Sequence, residues 1–127
     1  MVKPVRILGV LMVGAMAAGG VAGAANAAPA PKPASFAICA ACHVTTEGGR
    51  ASLGPNLWAV AGRRAGSAAG FTFSPAMRDS RITWDRQKLI AFITNPRTTV
   101  PGTRTAYAGQ RDPAKAAEIA DYLMSLK

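Results

Sequence analysis

The chain concentrates its thiol and imidazole chemistry in five consecutive residues. Cys39 and Cys42 are its only cysteines, and His43 is its only histidine. Two thiols separated by two residues at the end of a helix can each add to one vinyl group of a haem, and the adjacent imidazole can then ligate the iron. The spacing therefore predicts one covalently bound haem c, with His43 as the proximal iron ligand.

Three other kinds of site use the same residues. A redox-active Cys-x-x-Cys disulfide normally lies at a strand-to-helix junction in a βαβ unit, and the sequence shows no such pattern. A structural zinc site needs four protein ligands, and the chain has no second cluster of Cys or His. A plain structural disulfide is compatible with export, but it gives the adjacent histidine no role. Haem attachment is therefore the favoured hypothesis.

The N-terminal segment has the pattern of a secretory signal. A basic start that holds Lys3 and Arg6 precedes an apolar run over residues 7–25. This pattern predicts a signal peptide over residues 1–27 that ends in an A-x-A motif, is cleaved after Ala27 and directs the protein to the periplasm. An uncleaved membrane anchor is the alternative, because the run is about long enough to enter a bilayer. The many glycines in the run favour cleavage.

Export leaves a strongly basic domain. The full sequence has a formal net charge of +9, and the signal removes two basic residues and no acidic one, so the mature charge is +7. Nucleic acid is not expected as a partner of an exported protein. The basic residues are scattered, which favours a charged face that steers redox partner proteins with acidic docking surfaces. Membrane contact is expected at most through a redox complex or an uncleaved signal.

The mature chain is predicted to be an all-α domain with long loops. The proline-rich residues 28–34 form a linker, and the domain spans residues 35–127. Ser35 is predicted to cap a short helix that runs through the cysteines. Glycine, proline and alanine dominate residues 48–76, which predicts loops with a short helical turn around residues 57–61.

Two later helices have clear boundaries. One begins after Thr83 with Asp85 in its first turn and ends by Asn95, because a proline follows. The last helix starts at Asp112, a good N-cap, with Pro113 at a position where helices tolerate proline. No alternation typical of strands and no internal repeat is present.

Beyond the attachment motif, residues 35 to 126 resemble the class I cytochrome c family. The shared motifs are Gly54-Pro55-Asn56-Leu57, Gly62-Arg63 with Gly66, Gly70-Phe71, Ser74-Pro75-Ala76-Met77, Ile82-Thr83-Trp84, Asn95-Pro96 and Pro101-Gly102-Thr103. The resemblance implies a small fold of about three main helices and long loops wrapped around one covalently bound haem. It also implies an electron carrier rather than an enzyme.

The resemblance assigns roles to several further residues. The carbonyl of Pro55 is expected to bind His43 and to orient its ring. Trp84 is expected to hydrogen-bond a haem propionate. The first and last helices are expected to cross, with Phe36 against Tyr122.

The distal side departs from the family. The family's axial methionine follows the Pro-Gly-Thr motif by two residues, and Thr105 occupies that position here. Because a hydroxyl is a poor ligand for haem iron, we expect an open or water-occupied sixth position. Met77 and Tyr107 are the remaining candidate ligands. Phe92 and Phe73 stand where the family often has tyrosines.

Two functions follow from this distal side. The first is an exported monohaem electron carrier of a respiratory or oxidative pathway, with a lower potential than its Met-ligated relatives. The alternative is a five-coordinate haem protein that binds or senses a small gas ligand. A dedicated peroxidase is not expected, because His43 is used on the proximal side and no distal histidine remains.

Overall fold

The computed structural model describes residues 27–127, and the predicted signal peptide therefore lies almost wholly outside the described residues. A 3-10 turn over Ala34–Phe36 leads into the first helix. The helices are α1 (Ala37–Ala40), α2 (Pro75–Asp79), α3 (Arg86–Thr94), α4 (Pro96–Thr99) and α5 (Pro113–Ser125). The only β-type pairing in this range is one antiparallel bridge between Arg64 and Thr83. The described residues are thus helical without strands, as the sequence predicts.

The two longest helices begin at the predicted caps. The Asp85 carboxylate accepts a hydrogen bond from the Lys88 amide at 2.8 Å and caps α3. Asp112 accepts one from the Ala114 amide at 2.9 Å and caps α5, with proline as the first helical residue. These bonds satisfy amide groups that a helix leaves free at its first turn.

Two local predictions need correction. The first short helix is capped by Pro33, without a side-chain hydrogen bond. Ser35 instead donates its hydroxyl proton to Glu118 at 3.2 Å, so it joins the N-terminal turn to α5. Residues 57–61 form hydrogen-bonded turns rather than a helix, because Ala59 adopts a left-handed conformation with φ +51°.

Two short helices were not predicted. Ser74 caps α2 by accepting from the Met77 amide, and Asn95 caps α4 by accepting from the Thr98 amide. Each cap is followed by a proline at the first helical position, which suits proline because no amide donor is needed there. The proline after Asn95 therefore ends α3 and starts another helix.

The core lies where α3 and α5 pack together and the N-terminal turn closes over them. Phe36 is fully buried and meets the Tyr122 ring edge-on, with ring centroids 5.0 Å apart, so the expected contact is present. The Tyr122 hydroxyl donates to the Thr45 hydroxyl at 3.1 Å inside this core. The contact joins the segment after the attachment motif to the last helix.

The linker also contacts the last helix. The Ala30 amide donates to the Ser125 hydroxyl at 2.9 Å, and the Lys32 ammonium lies 5.7 Å from the Phe36 ring centroid. Among residues 27–127, no helix has the length and apolar character that crossing a membrane requires.

Candidate haem site

The two cysteines lie at the end of α1 and in the turn that follows it. The Cys42 and His43 amides both donate to the Cys39 carbonyl, at 3.1 and 2.9 Å, so the turn places the three side chains close together. Both thiols are free and half-buried. Burial, more than the nearby Cys42, raises the pKa of the Cys39 thiol, which is therefore neutral near pH 7.

His43 is held in one orientation by the backbone. Its Nδ1 lies 2.7 Å from the Pro55 carbonyl oxygen. Because a carbonyl only accepts, Nδ1 carries the proton and donates it, which leaves the lone pair on Nε2. Burial lowers the pKa of His43, although the Pro55 hydrogen bond opposes this shift. The neutral imidazole with a free Nε2 is the form that ligates a metal.

Gly54 supplies the space that the imidazole occupies. An added Cβ at this glycine would lie 2.5 to 2.9 Å from three atoms of the His43 ring, which is closer than carbon atoms pack. The Gly54 amide donates to the Cys42 carbonyl at 2.8 Å, and this bond fixes the approach. The donor set and the shaped space beside the ring both fit a proximal haem ligand.

Arg63 holds the loop that carries Pro55. Its guanidinium donates to the carbonyls of Trp58 and Asn56, at 3.0 and 2.9 Å. Burial lowers its pKa. In the sequence, Arg63 is recognised only as part of a shared motif. Its carbonyl partners can be identified only in the folded loop.

Trp84 and Met77 lie on the segments that follow the long loop. Trp84 is buried, its ring centroid is 5.3 Å from that of Phe92, and its backbone pairs with Gly62 and Arg63. Met77 is half-buried in α2 and packs against the core cluster.

The Thr105 hydroxyl is turned toward its own backbone. It accepts a hydrogen bond from the Tyr107 amide at 3.4 Å, while the Thr103 hydroxyl accepts from the Thr105 amide at 3.5 Å. Such local bonds are typical of threonine in irregular segments. The Thr105 side chain therefore stabilises the backbone of the loop in which the distal ligand is expected.

A metal site of another kind has no support here. Within residues 27–127, no three side chains of His, Cys, Asp or Glu gather into a cluster that could hold a metal ion. The zinc hypothesis therefore lacks its ligands in the part of the chain that the structure describes.

Known proteins match both the sequence and the fold. Cytochrome c2 iso-2 of Magnetospirillum molischianum is 39% identical over 98 residues, which cover 77% of this chain and 100% of the relative. Cytochrome c2 of Rhodopila globiformis is 42% identical over 90 residues, or 71% of this chain and 84% of that protein. No protein-family model matches the chain.

A solved structure gives the same result. Cytochrome cH from Methylobacterium extorquens superposes with a TM-score of 0.65 at 39% sequence identity, covering 70% of this chain and 89% of that chain. Identity of this level over this share of both chains indicates common descent. The chain therefore belongs to the class I cytochrome c family and is a monohaem electron carrier with one covalent haem c.

Proposed function

We propose that this protein is an exported electron carrier of the periplasm, with residues 1–27 as a signal peptide cleaved after Ala27. Cys39 and Cys42 would form the two thioether bonds, and His43 would ligate the iron through Nε2. The observation that carries this proposal is the 2.7 Å contact from His43 Nδ1 to the Pro55 carbonyl, directly after the cysteine pair. It leaves one ring nitrogen free as a ligand in a fixed direction.

The surrounding residues would bind and orient the cofactor. Trp84 would donate its indole N–H to a propionate, and its burial beside Phe92 supports a fixed ring. The linker over residues 28–34 would connect the signal to the domain over residues 35–127. When bound, haem c supplies a centre that takes up and releases one electron.

Single replacement of either cysteine tests the attachment. In Cys39→Ala or Cys42→Ala we expect one thioether bond to be lost, which leaves one vinyl group unsaturated. The pyridine haemochrome absorption band should then move to longer wavelength in each variant, and the double variant should lose covalent haem. An unchanged haemochrome in both single variants would contradict the assignment.

Mass spectrometry of the periplasmic fraction tests export. The expected result is a protein that begins at Ala28.

The partner surface is proposed to include the arginines that flank the loop with Thr105. Arg97, Arg104 and Arg111 are exposed, and none forms an ion pair within residues 27–127. The acidic side chains that do form ion pairs are Asp85, Asp112 and Asp121. Free positive charge therefore borders this loop, which supports an acidic redox partner.

Reversal of one of these charges should slow the reaction with an anionic oxidant. For Arg104→Glu we expect the rate of oxidation by ferricyanide at low salt to fall about threefold to tenfold, because steering weakens. Lys88→Glu is the matched control, since it changes the net charge equally but alters a lysine already paired with Asp85 at 2.8 Å. Equal losses in both variants, or a loss that persists at high salt, would contradict a local docking surface.

A second candidate function is binding of a small ligand at the iron. The observation that favours it is the hydrogen bond that the Thr105 hydroxyl accepts from the Tyr107 amide. This hydroxyl would therefore not act as an iron ligand in place of the family's methionine. An open sixth position would admit carbon monoxide, nitric oxide or dioxygen. It would also lower the potential relative to Met-ligated relatives.

A further inference from the structure

The two tyrosines of the chain differ in the hydrogen bonding of their hydroxyl groups. The Tyr107 hydroxyl oxygen is buried, and it has no hydrogen-bond partner among residues 27–127. The Tyr122 hydroxyl is also buried, but it donates to Thr45 at 3.1 Å. A buried hydroxyl without a partner is costly, and folded proteins rarely leave one. Tyr107 therefore needs a partner that the described side chains do not supply.

The Tyr107 hydroxyl lies near the Cys39 thiol of the attachment site. Burial raises its pKa, and the nearby Cys39 raises it further. The hydroxyl is therefore protonated near pH 7 and is available as a donor. Tyr107 also follows Thr105 by two residues in the same irregular loop, so it stands beside the expected distal position.

Thr105 is not that partner in the structure, although it lies two residues away. Its hydroxyl oxygen is engaged by the Tyr107 amide at 3.4 Å, on the backbone rather than at the tip of the tyrosine. At the far end of the loop, the Gln110 amide donates to the Ile93 carbonyl at 2.8 Å and fixes the loop against α3. Tyr107 is thus carried by a loop that is fixed to α3 shortly after it.

We propose that the distal side of the haem binds a small ligand with a hydrogen-bond-accepting end, and that the Tyr107 hydroxyl is the donor that stabilises it. The ligand class includes azide at oxidised iron and dioxygen at reduced iron. This inference rests on the proposed haem attachment and proximal ligation. Tyr107 acts here by donating a hydrogen bond to the ligand, and the iron is not ligated by its oxygen.

Two Tyr→Phe variants of the haem-loaded protein test the proposal. Azide is titrated into the oxidised protein and carbon monoxide into the reduced protein, and absorption spectra give each dissociation constant. Tyr107→Phe should weaken azide binding about tenfold or more, because hydrogen bonds to charged groups are the strong ones. Carbon monoxide accepts hydrogen bonds poorly, so its affinity should change less than about twofold. Tyr122→Phe, which removes a hydroxyl bonded to Thr45, should change neither affinity.

Unfolding by denaturant separates a ligand role from a structural one. Without azide, Tyr107→Phe should be as stable as the parent protein or more stable, because the lost hydroxyl had no protein partner. Tyr122→Phe should be less stable, because it leaves the Thr45 hydroxyl unpaired. A stability loss in Tyr107→Phe with unchanged azide affinity would overturn the proposal.

Three further results would also overturn it. They are a parent protein that does not bind azide, an iron-tyrosinate absorption band that disappears in Tyr107→Phe, and azide binding that appears only in Met77→Ala. The pyridine haemochrome shows whether haem is covalently attached. It therefore distinguishes failure of this inference from failure of the proposed function. A normal haemochrome with reversible reduction but no Tyr107 effect would reject this inference alone. A protein without covalent haem would reject the attachment itself.

Discussion

Gly54→Ala should displace the His43 ring. The added Cβ would lie 2.5 Å from Cε1, 2.7 Å from Nδ1 and 2.9 Å from Nε2 of His43, so the ring must leave its place or the loop must move. Either movement breaks the 2.7 Å hydrogen bond to the Pro55 carbonyl. We expect the free energy of unfolding of the haem-loaded protein to fall by about 3 kcal/mol, since the crowding is added to a lost hydrogen bond. Denaturant unfolding measures this change.

Gly48→Ala is the matched control for that variant. Gly48 has φ +68°, and a Cβ there would meet no heavy atom within 4 Å. It should cost only about 1 to 2 kcal/mol, which is the strain of alanine in a left-handed conformation. The reduced absorption spectrum should change in Gly54→Ala and stay unchanged in Gly48→Ala. Equal stability losses with unchanged spectra would show that Gly54 does not shape the histidine site.

Gly109→Ala should have the largest effect on the fold. Gly109 has φ +116°, and an added Cβ would overlap the carbonyl oxygen of Thr94 and lie 3.1 Å from its carbonyl carbon. These are backbone atoms at the end of α3, so no side-chain rotation relieves the overlap. We expect a loss of at least about 3 kcal/mol. For a domain of this size that loss lowers the melting temperature by on the order of 15 °C.

Gly102→Ala in the same loop isolates the backbone strain. Gly102 has φ +85°, and its added Cβ would meet only the Ala76 Cβ, at 3.3 Å. Its melting temperature should fall by a few degrees, corresponding to about 1 to 2 kcal/mol of strain. Equal melting temperatures for Gly109→Ala and Gly102→Ala would show that Gly109 does not lie against the Thr94 carbonyl at the end of α3.

The sequence predicts the helices whose first residues are set by side chains close to them in the chain. Asp85 and Asp112 mark the starts of α3 and α5 because an N-cap carboxylate binds amides only two or three residues away. Helices α2 and α4 carry similar signals at Ser74 and Asn95. They have 5 and 4 residues, which is too short for a hydrophobic period to become visible.

Other features depend on contacts between distant segments. Ser35 looks like a cap in the sequence, but its hydroxyl reaches Glu118, 83 residues away. Residues 57–61 look helical until Ala59 takes a positive φ within its packed turn. The fact that Tyr107 lacks a partner depends on every neighbour in the fold, and no local pattern reports it.

The proximal and distal sides differ for the same reason. Cys39, Cys42 and His43 lie within five consecutive residues, so their spacing alone predicts their chemistry. The distal side depends on where the loop with Thr105 places its side chains. The structure turns that hydroxyl to the backbone and buries the Tyr107 hydroxyl, and neither orientation follows from residue types.

The absorption spectrum of the reduced, haem-loaded protein before and after addition of carbon monoxide tests the account most directly. We predict a prompt shift of the Soret band, because in the proposed site His43 would ligate one side of the iron and Thr105 would supply no ligand on the other. The same shift should occur in Met77→Ala. A low-spin spectrum that carbon monoxide leaves unchanged would show a strong internal sixth ligand and would contradict the account.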